Sequence, residues 1–94
     1  MIQLVWRPLA LADRDAIMDY IAKDNPLAAL MLDDDFETKA EQARQHPKRY
    51  KVGRVPGTRE IVVQPNYVMV YRIAGNELAV LRVLHARQQW PTNS

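Results

Sequence analysis

Apolar and polar positions change period along this chain, and the changes mark out its elements. Ile2, Leu4 and Trp6 alternate with Gln3 and Val5, the period of a short strand, and Pro8 ends it. Leu9–Lys23 then reads as a helix, with Leu9, Ala16, Ile17, Tyr20 and Ile21 on one face. Asp13 and Asp15 fall in its early turns, where acids suit the helix dipole. Asp24-Asn25-Pro26 interrupts the pattern. Asn25 can cap a second helix and Pro26 can occupy its first position. That helix is expected to run to about His46, with Ala29, Leu32, Phe36, Ala40 and Ala43 as its apolar line at steps of three and four. Leu27, Leu30 and Met31 widen the line early.

Pro47 stops the second helix, and strand periods follow. Arg49–Val52 reads as a short strand, and Gly53, Pro56 and Gly57 mark a loop. Three further strands are expected at Arg59–Gln64, Tyr67–Ile73 and Glu77–His85. The turns between them, at Pro65-Asn66 and Ala74-Gly75-Asn76, are short enough for antiparallel hairpins. Strict alternation sorts Tyr67, Met69, Tyr71 and Ile73 against Val68, Val70 and Arg72. On the last strand it sorts Leu78, Val80, Arg82 and Leu84 against Ala79, Leu81, Val83 and His85. The order strand, helix, helix, then a meander of strands gives an α+β fold class. Two N-terminal helices lie on a small, mainly antiparallel sheet, in one domain spanning residues 1–94.

Charge divides the same way. Residues 1–47 hold five Lys/Arg against nine Asp/Glu, a net of −4; residues 48–94 hold eight against two, a net of +6. A basic sheet half invites a polyanion, either nucleic acid or an acidic peptide. The plainer alternative is a solvated charged surface. There are no cysteines, so disulfides and thiolate metal sites are excluded. Met1–Trp6 meets Arg7 and Pro8 too soon for a signal peptide, and no apolar run approaches the ~20 residues of a membrane helix. The expected location is the cytoplasm, with no membrane partner.

Candidate chemistry is sparse. His46 and His85 are the only histidines and carry no carboxylate at ligand spacing. Asp33, Asp34 and Asp35 point in different directions around a helix, which suits a solvated face better than a metal site. No cofactor is implied. His85-Ala86-Arg87 closes the last strand, with Trp90 behind it. A histidine can take and return a proton near neutral pH, an arginine can grip a phosphate, and a tryptophan can stack on a base. The structural alternative packs Trp90 on the core and leaves His85 an ordinary, partly buried residue. Glu60 is expected to bridge across strands to Arg72 or Arg82. Arg54 and Lys51 are expected to meet phosphate or an acidic partner from their loop.

These pieces, in this order, resemble the RelE/ParE superfamily of bacterial toxins. The carrying segments are Trp6-Arg7-Pro8, Asp19-Tyr20-Ile21, Asn25 to Ala29, Gly53 to Glu60, Tyr67 to Arg72, and Leu81 to Arg87. The chain looks closest to the RelE/StbE branch. The resemblance spans nearly all of it and implies the toxin of a type II toxin–antitoxin module, bound by an acidic antitoxin. Two activities are known in that superfamily. One is metal-independent cleavage of messenger RNA on the ribosome; the other is inhibition of DNA gyrase without nuclease action. For the first, the resemblance matches His85 to a catalytic histidine of some members and sets Arg87 near the C-terminal arginine of others; with Arg82 these are the expected catalytic residues, and Lys51, Arg54, Arg59, Arg72 and Trp90 are expected on nucleic acid. Other messenger RNA-cutting members carry further basic or His residues on the central strands. The corresponding positions here are Val62, Gln64 and Val68, and Asn66 stands where one subgroup has an acid.

Overall fold

The computed structural model describes residues 1–91. Strand β1 (Gln3–Trp6) leads into helix α1 (Pro8–Ala22), and helix α2 (Pro26–Gln45) follows. The chain then returns through β2 (Lys51–Val52), β3 (Arg59–Val63), β4 (Tyr67–Ala74) and β5 (Glu77–His85). The five strands form one sheet in the order β1-β5-β4-β3-β2. All neighbours are antiparallel except β1, which runs parallel to β5 with Gln3 opposite Glu77 and Trp6 opposite Val80. A parallel neighbour needs a long crossover, and everything between β1 and β5 supplies it.

α2 is built as its pattern indicates. Asn25 caps it through a bond from the Ala28 amide, Pro26 begins it, and its buried residues are Ala29, Leu32, Phe36, Ala40 and Ala43. Four small or slender side chains let the helix lie close to the sheet, and Phe36 fills the gap they leave.

α1 departs from expectation. Leu9 and Tyr20 are exposed, whereas Ala10 and Arg14 are buried. The face that turns inward is therefore rotated relative to the apolar one, although Ile17 and Ile21 do pack on the core. Arg14 is the cause. Its guanidinium lies 4.4 Å above the Trp6 ring and bonds to Asp33 at 2.9 Å and Glu37 at 3.0 Å. A buried cation is tolerable when fully paired, and this one ties β1, α1 and α2 together. Nor do Asp13 and Asp15 serve the helix dipole, since α1 has no acid in its first turn.

The sheet face under the helices carries Ile61, Val63, Met69, Tyr71, Leu78, Val80 and Val83. The other face carries a smaller cluster of Val68, Val70 and Leu84, with Trp90 packed against it. β4 alternates as expected. β5 does not: its register against β4 slips, with Tyr71 opposite Val80 but Val70 opposite Arg82, so Leu81 is an extra residue. Such a bulge reverses the facing of everything beyond it. Val83 therefore joins Leu78 and Val80 under the helices, while Leu84 faces away.

Candidate functional site

The basic residues singled out from the sequence fall into two groups at opposite ends of the sheet. Arg59 stands opposite Tyr71 on β4 and His85 opposite Tyr67. Four residues of strand separate these positions, about 13 Å.

At the first end, β2 and the loop after it fold over β3. The loop turns back through Gly57, at φ 83°, and Gly53 lies so close to Thr58 that a Cβ there would collide with the threonine Oγ1. The expected partner of Glu60, Arg72 or Arg82, is not the one found. Glu60 is buried and takes three bonds from Arg54: the backbone N–H and Nε at 2.9 Å on Oε2, and Nη2 at 3.1 Å on Oε1. These hydrogen bonds hold the Glu60 carboxyl below the usual carboxylate range, against the opposing effect of burial. Arg54 is thus a strut of the loop.

Arg59 also works internally, donating from Nη1 to the Tyr50 carbonyl at 2.7 Å and the Lys48 carbonyl at 3.4 Å. Beside it the buried Tyr71 hydroxyl bonds to the Pro47 carbonyl, and burial pushes its pKa up to about 12. Arg72 and Lys51 are exposed and have no ion-pair partner among the described residues. Arg59 and Arg72 line a cleft of about 330 Å³ with Val52, Thr58, Tyr71 and Ile73. At this end two cations, Lys51 and Arg72, remain open to a partner.

At the other end, His85 and Tyr67 meet edge to face with ring centres 5.4 Å apart, and Tyr67 meets Phe36 in the same way at 5.9 Å. His85 is exposed, and its Nδ1 accepts the Arg87 backbone N–H at 3.1 Å. In the neutral ring the proton therefore sits on Nε2. His85, Tyr67, Tyr20, Gln88 and Asp13 line a cleft of about 320 Å³. Arg82 does not reach into it as a free cation. Its Nε and Nη2 bond to the two Asp13 oxygens at 2.7 and 3.0 Å. Arg87 is exposed on the turn after His85, and Trp90 is half-buried against Val68, Val70 and Leu84 on the opposite sheet face. One face of that indole is therefore already covered.

The structure thus joins His85 and Arg87, binds Arg82 to a carboxylate, and leaves Lys51, Arg54, Arg59 and Arg72 at the far end. Asp13 and Tyr67 were not singled out from the sequence for this cleft. Asp13 had one usable signal: it lies beyond the first helical turn, so the dipole gives no reason for it. Among the described residues no three acidic or histidine side chains converge where a metal could sit. Asp33 is engaged by Arg14, and Asp35 accepts from Gln64 at 2.7 Å. No described helix is long and apolar enough to cross a membrane.

Comparison with known proteins gives this arrangement a family. Toxin RelE2 of Caulobacter vibrioides is 38% identical over 86 residues, covering 92% of this chain and 97% of its own. Putative toxin Y4kP of Sinorhizobium fredii is 37% identical over 87 residues, covering 92% and 90%. A solved structure from the chromosomal ParDE toxin–antitoxin system of P. aeruginosa superimposes with a TM-score of 0.82 at 27% identity, over 90% of this chain and 96% of that one. Residues 4–90 match the family model described as the ParE toxin of the type II toxin–antitoxin system parDE. The chain therefore belongs to the ParE toxin family, within the RelE/ParE superfamily of type II toxins.

Proposed function

We propose that this toxin acts by binding DNA gyrase and blocking it, without cutting nucleic acid. The observation that carries the proposal is that Asp13, in the wall of the His85 cleft, binds Arg82, which does not itself line that cleft. Cleaving a phosphodiester requires proton transfer and a cation on the developing charge, both within about 3 Å of the reacting atoms. Here Arg82 is already neutralised by Asp13, and Arg87 is tied to His85 only through its backbone N–H, with no contact that aims its guanidinium into the cleft. The Asp13 side of the pair lines the cleft, so the pair offers phosphate no positive charge there. The open cations Lys51 and Arg72 lie at the far end of the sheet. A binding toxin needs none of that convergence. It needs an exposed, mixed surface, which His85, Tyr20 and the basic end supply.

The test is to give purified toxin separately to gyrase and to ribosomes programmed with messenger RNA. Expected are blocked supercoiling and uncut messenger RNA. Messenger RNA cut on ribosomes, with gyrase unaffected, rejects the proposal.

That opposite result belongs to a second reading, ribosome-dependent messenger RNA cleavage. The exposed His85, with Arg87 bonded beside it, favours it, as does the relative named Toxin RelE2. In it His85 is the general acid or base, and Arg87 holds phosphate with Arg82, once the Arg82 guanidinium turns from Asp13. His85→Ala then slows single-turnover cleavage by roughly 10²–10⁴-fold. Both targets are cytoplasmic, and we place the toxin there.

As a type II toxin the protein has an antitoxin partner. We assign that partner an acidic segment lying over Lys51, Arg72 and the cleft beside Arg59, where charge and apolar contact combine. The Kd should rise by about an order of magnitude as salt goes from about 50 to about 500 mM, roughly a threefold change in screening length. Titration calorimetry across that range checks this, and a constant Kd would reject the acidic-segment contact.

A further inference from the structure

Asp13 does more than neutralise Arg82. β1 ends at Trp6, opposite Val80, and Arg7 gives its N–H to the Val80 carbonyl. Beyond that point β5 has lost its neighbour on this side. Val83 lies in the uncovered stretch, is buried, and needs an acceptor for its amide. Asp13, reaching down from α1, supplies one: its Oδ2 takes the Val83 N–H at 2.9 Å while also taking Arg82 Nε. The carboxylate occupies the place a strand carbonyl would have held.

The bond falls just past the extra residue Leu81, and the extra residue sets which way the end of β5 faces. With the bulge, Val83 and His85 share the helix side with Tyr67. Without it, strict alternation would put Leu84 there and turn His85 to the opposite face, beside Val68 and Val70. Tyr67 itself is held on the helix side by Phe36. His85 can therefore meet Tyr67 only in the bulged register.

We infer that Asp13 is a positioning residue: its carboxylate, bonded to the Val83 amide, fixes the bulged register of β5 and so sets His85 in the cleft with Tyr67 and Tyr20. Arg82 orients that carboxylate, and the amide bond does the fixing. The role is independent of the target, because gyrase binding and RNA cleavage would both use the face on which His85 stands.

The experiment is NMR on the isotope-labelled full chain, comparing wild type with Asp13→Ala, Asp13→Asn and Arg82→Gln. A hydrogen bond to a charged acceptor is worth about 1.5–3 kcal/mol, so Val83 amide exchange should quicken roughly ten- to hundredfold in Asp13→Ala. The His85–Tyr67 cross-peak should vanish, and the Phe36–Tyr67 cross-peak should stay, which separates loss of register from loss of the core. Arg82→Gln should keep the His85–Tyr67 cross-peak and alter Val83 exchange by less than about threefold. Asp13→Asn retains a weaker, neutral acceptor, so its Val83 exchange should be intermediate with the His85–Tyr67 contact kept. An intact His85–Tyr67 contact in folded Asp13→Ala overturns the inference. So does loss of that contact in Arg82→Gln, which would give the role to the ion pair. If Asp13→Ala does not fold, Asp13→Asn decides: Val83 exchange at the wild-type rate overturns the inference as well.

Discussion

Phe36→Ala is expected to cost roughly 3–5 kcal/mol of folding stability, a large share of the 5–15 kcal/mol of a typical domain. The ring is fully buried at the middle of α2 and packs edge to face on Tyr67. Its neighbours along the helix line are Leu32 and Ala40, and further out Ala29 and Ala43. Alanines cannot swing in to fill a cavity, so collapse around the missing ring will be small and the cost should fall near the top of the range. Urea unfolding of wild type and variant, read as a shift in midpoint at constant slope, measures it. A loss below about 1 kcal/mol would show that the ring does not hold helix to sheet. The variant should also loosen Tyr67, and through it the edge-to-face contact with His85.

The same helix shows why part of this fold was legible. α2 buries an unbroken apolar line at helical spacing and has both Asn25 and Pro26 at its start, so pattern and capping agree. β4 was legible for a similar reason: a central strand with no extra residue of its own alternates cleanly. α1 was legible as a helix but not in its rotation. Hydropathy assigns an arginine to solvent, and only the tertiary meeting of Trp6, Asp33 and Glu37 makes Arg14 a core residue.

β5 failed on one residue. Nothing in Val80-Leu81-Arg82 announces a bulge, because its cause, Asp13, lies 70 residues from Val83 in sequence. The site suffered from the same distance. Counting cations found the right residues for a basic surface, but a cation's availability depends on its partners. Arg54 and Arg82 are taken by Glu60 and Asp13, and Arg59 by backbone carbonyls. Lys51 and Arg72 keep theirs. The ten-unit charge split between the halves is thus partly cancelled at β5 by the ion pair between Arg82 and the acidic half, while β2 and the free end of β4 keep it.

Glu60→Gln is expected to destabilise the protein by roughly 1.5–3 kcal/mol at pH 7, and the loss should fade in acid. The Glu60 side chain is only 3% exposed, so its carboxylate depends on the three bonds from Arg54. A glutamine can keep one acceptor oxygen, but its amide nitrogen must then face the guanidinium. The lower half of the range is the better expectation, because the Arg54 side chain is 38% exposed and solvent screens its charge.

The pH dependence follows from the direction of the Glu60 shift. Its folded pKa is lowered, so the stabilisation is fully present above the unfolded carboxylate value of about 4.3 and disappears as pH falls through the folded value. Once Glu60 is protonated, wild type has lost what the glutamine variant never had. Urea unfolding of both proteins at pH 7 and at about pH 3 should therefore show a wide gap in stability narrowing at the lower pH. An equal gap at both would mean that the carboxylate's charge contributes nothing, leaving shape as the only reason for Glu60. The glutamine variant should also free Arg54 to solvent beside Lys51. That adds an open cation at the end assigned to the antitoxin, so its acidic segment should bind the less stable toxin more tightly.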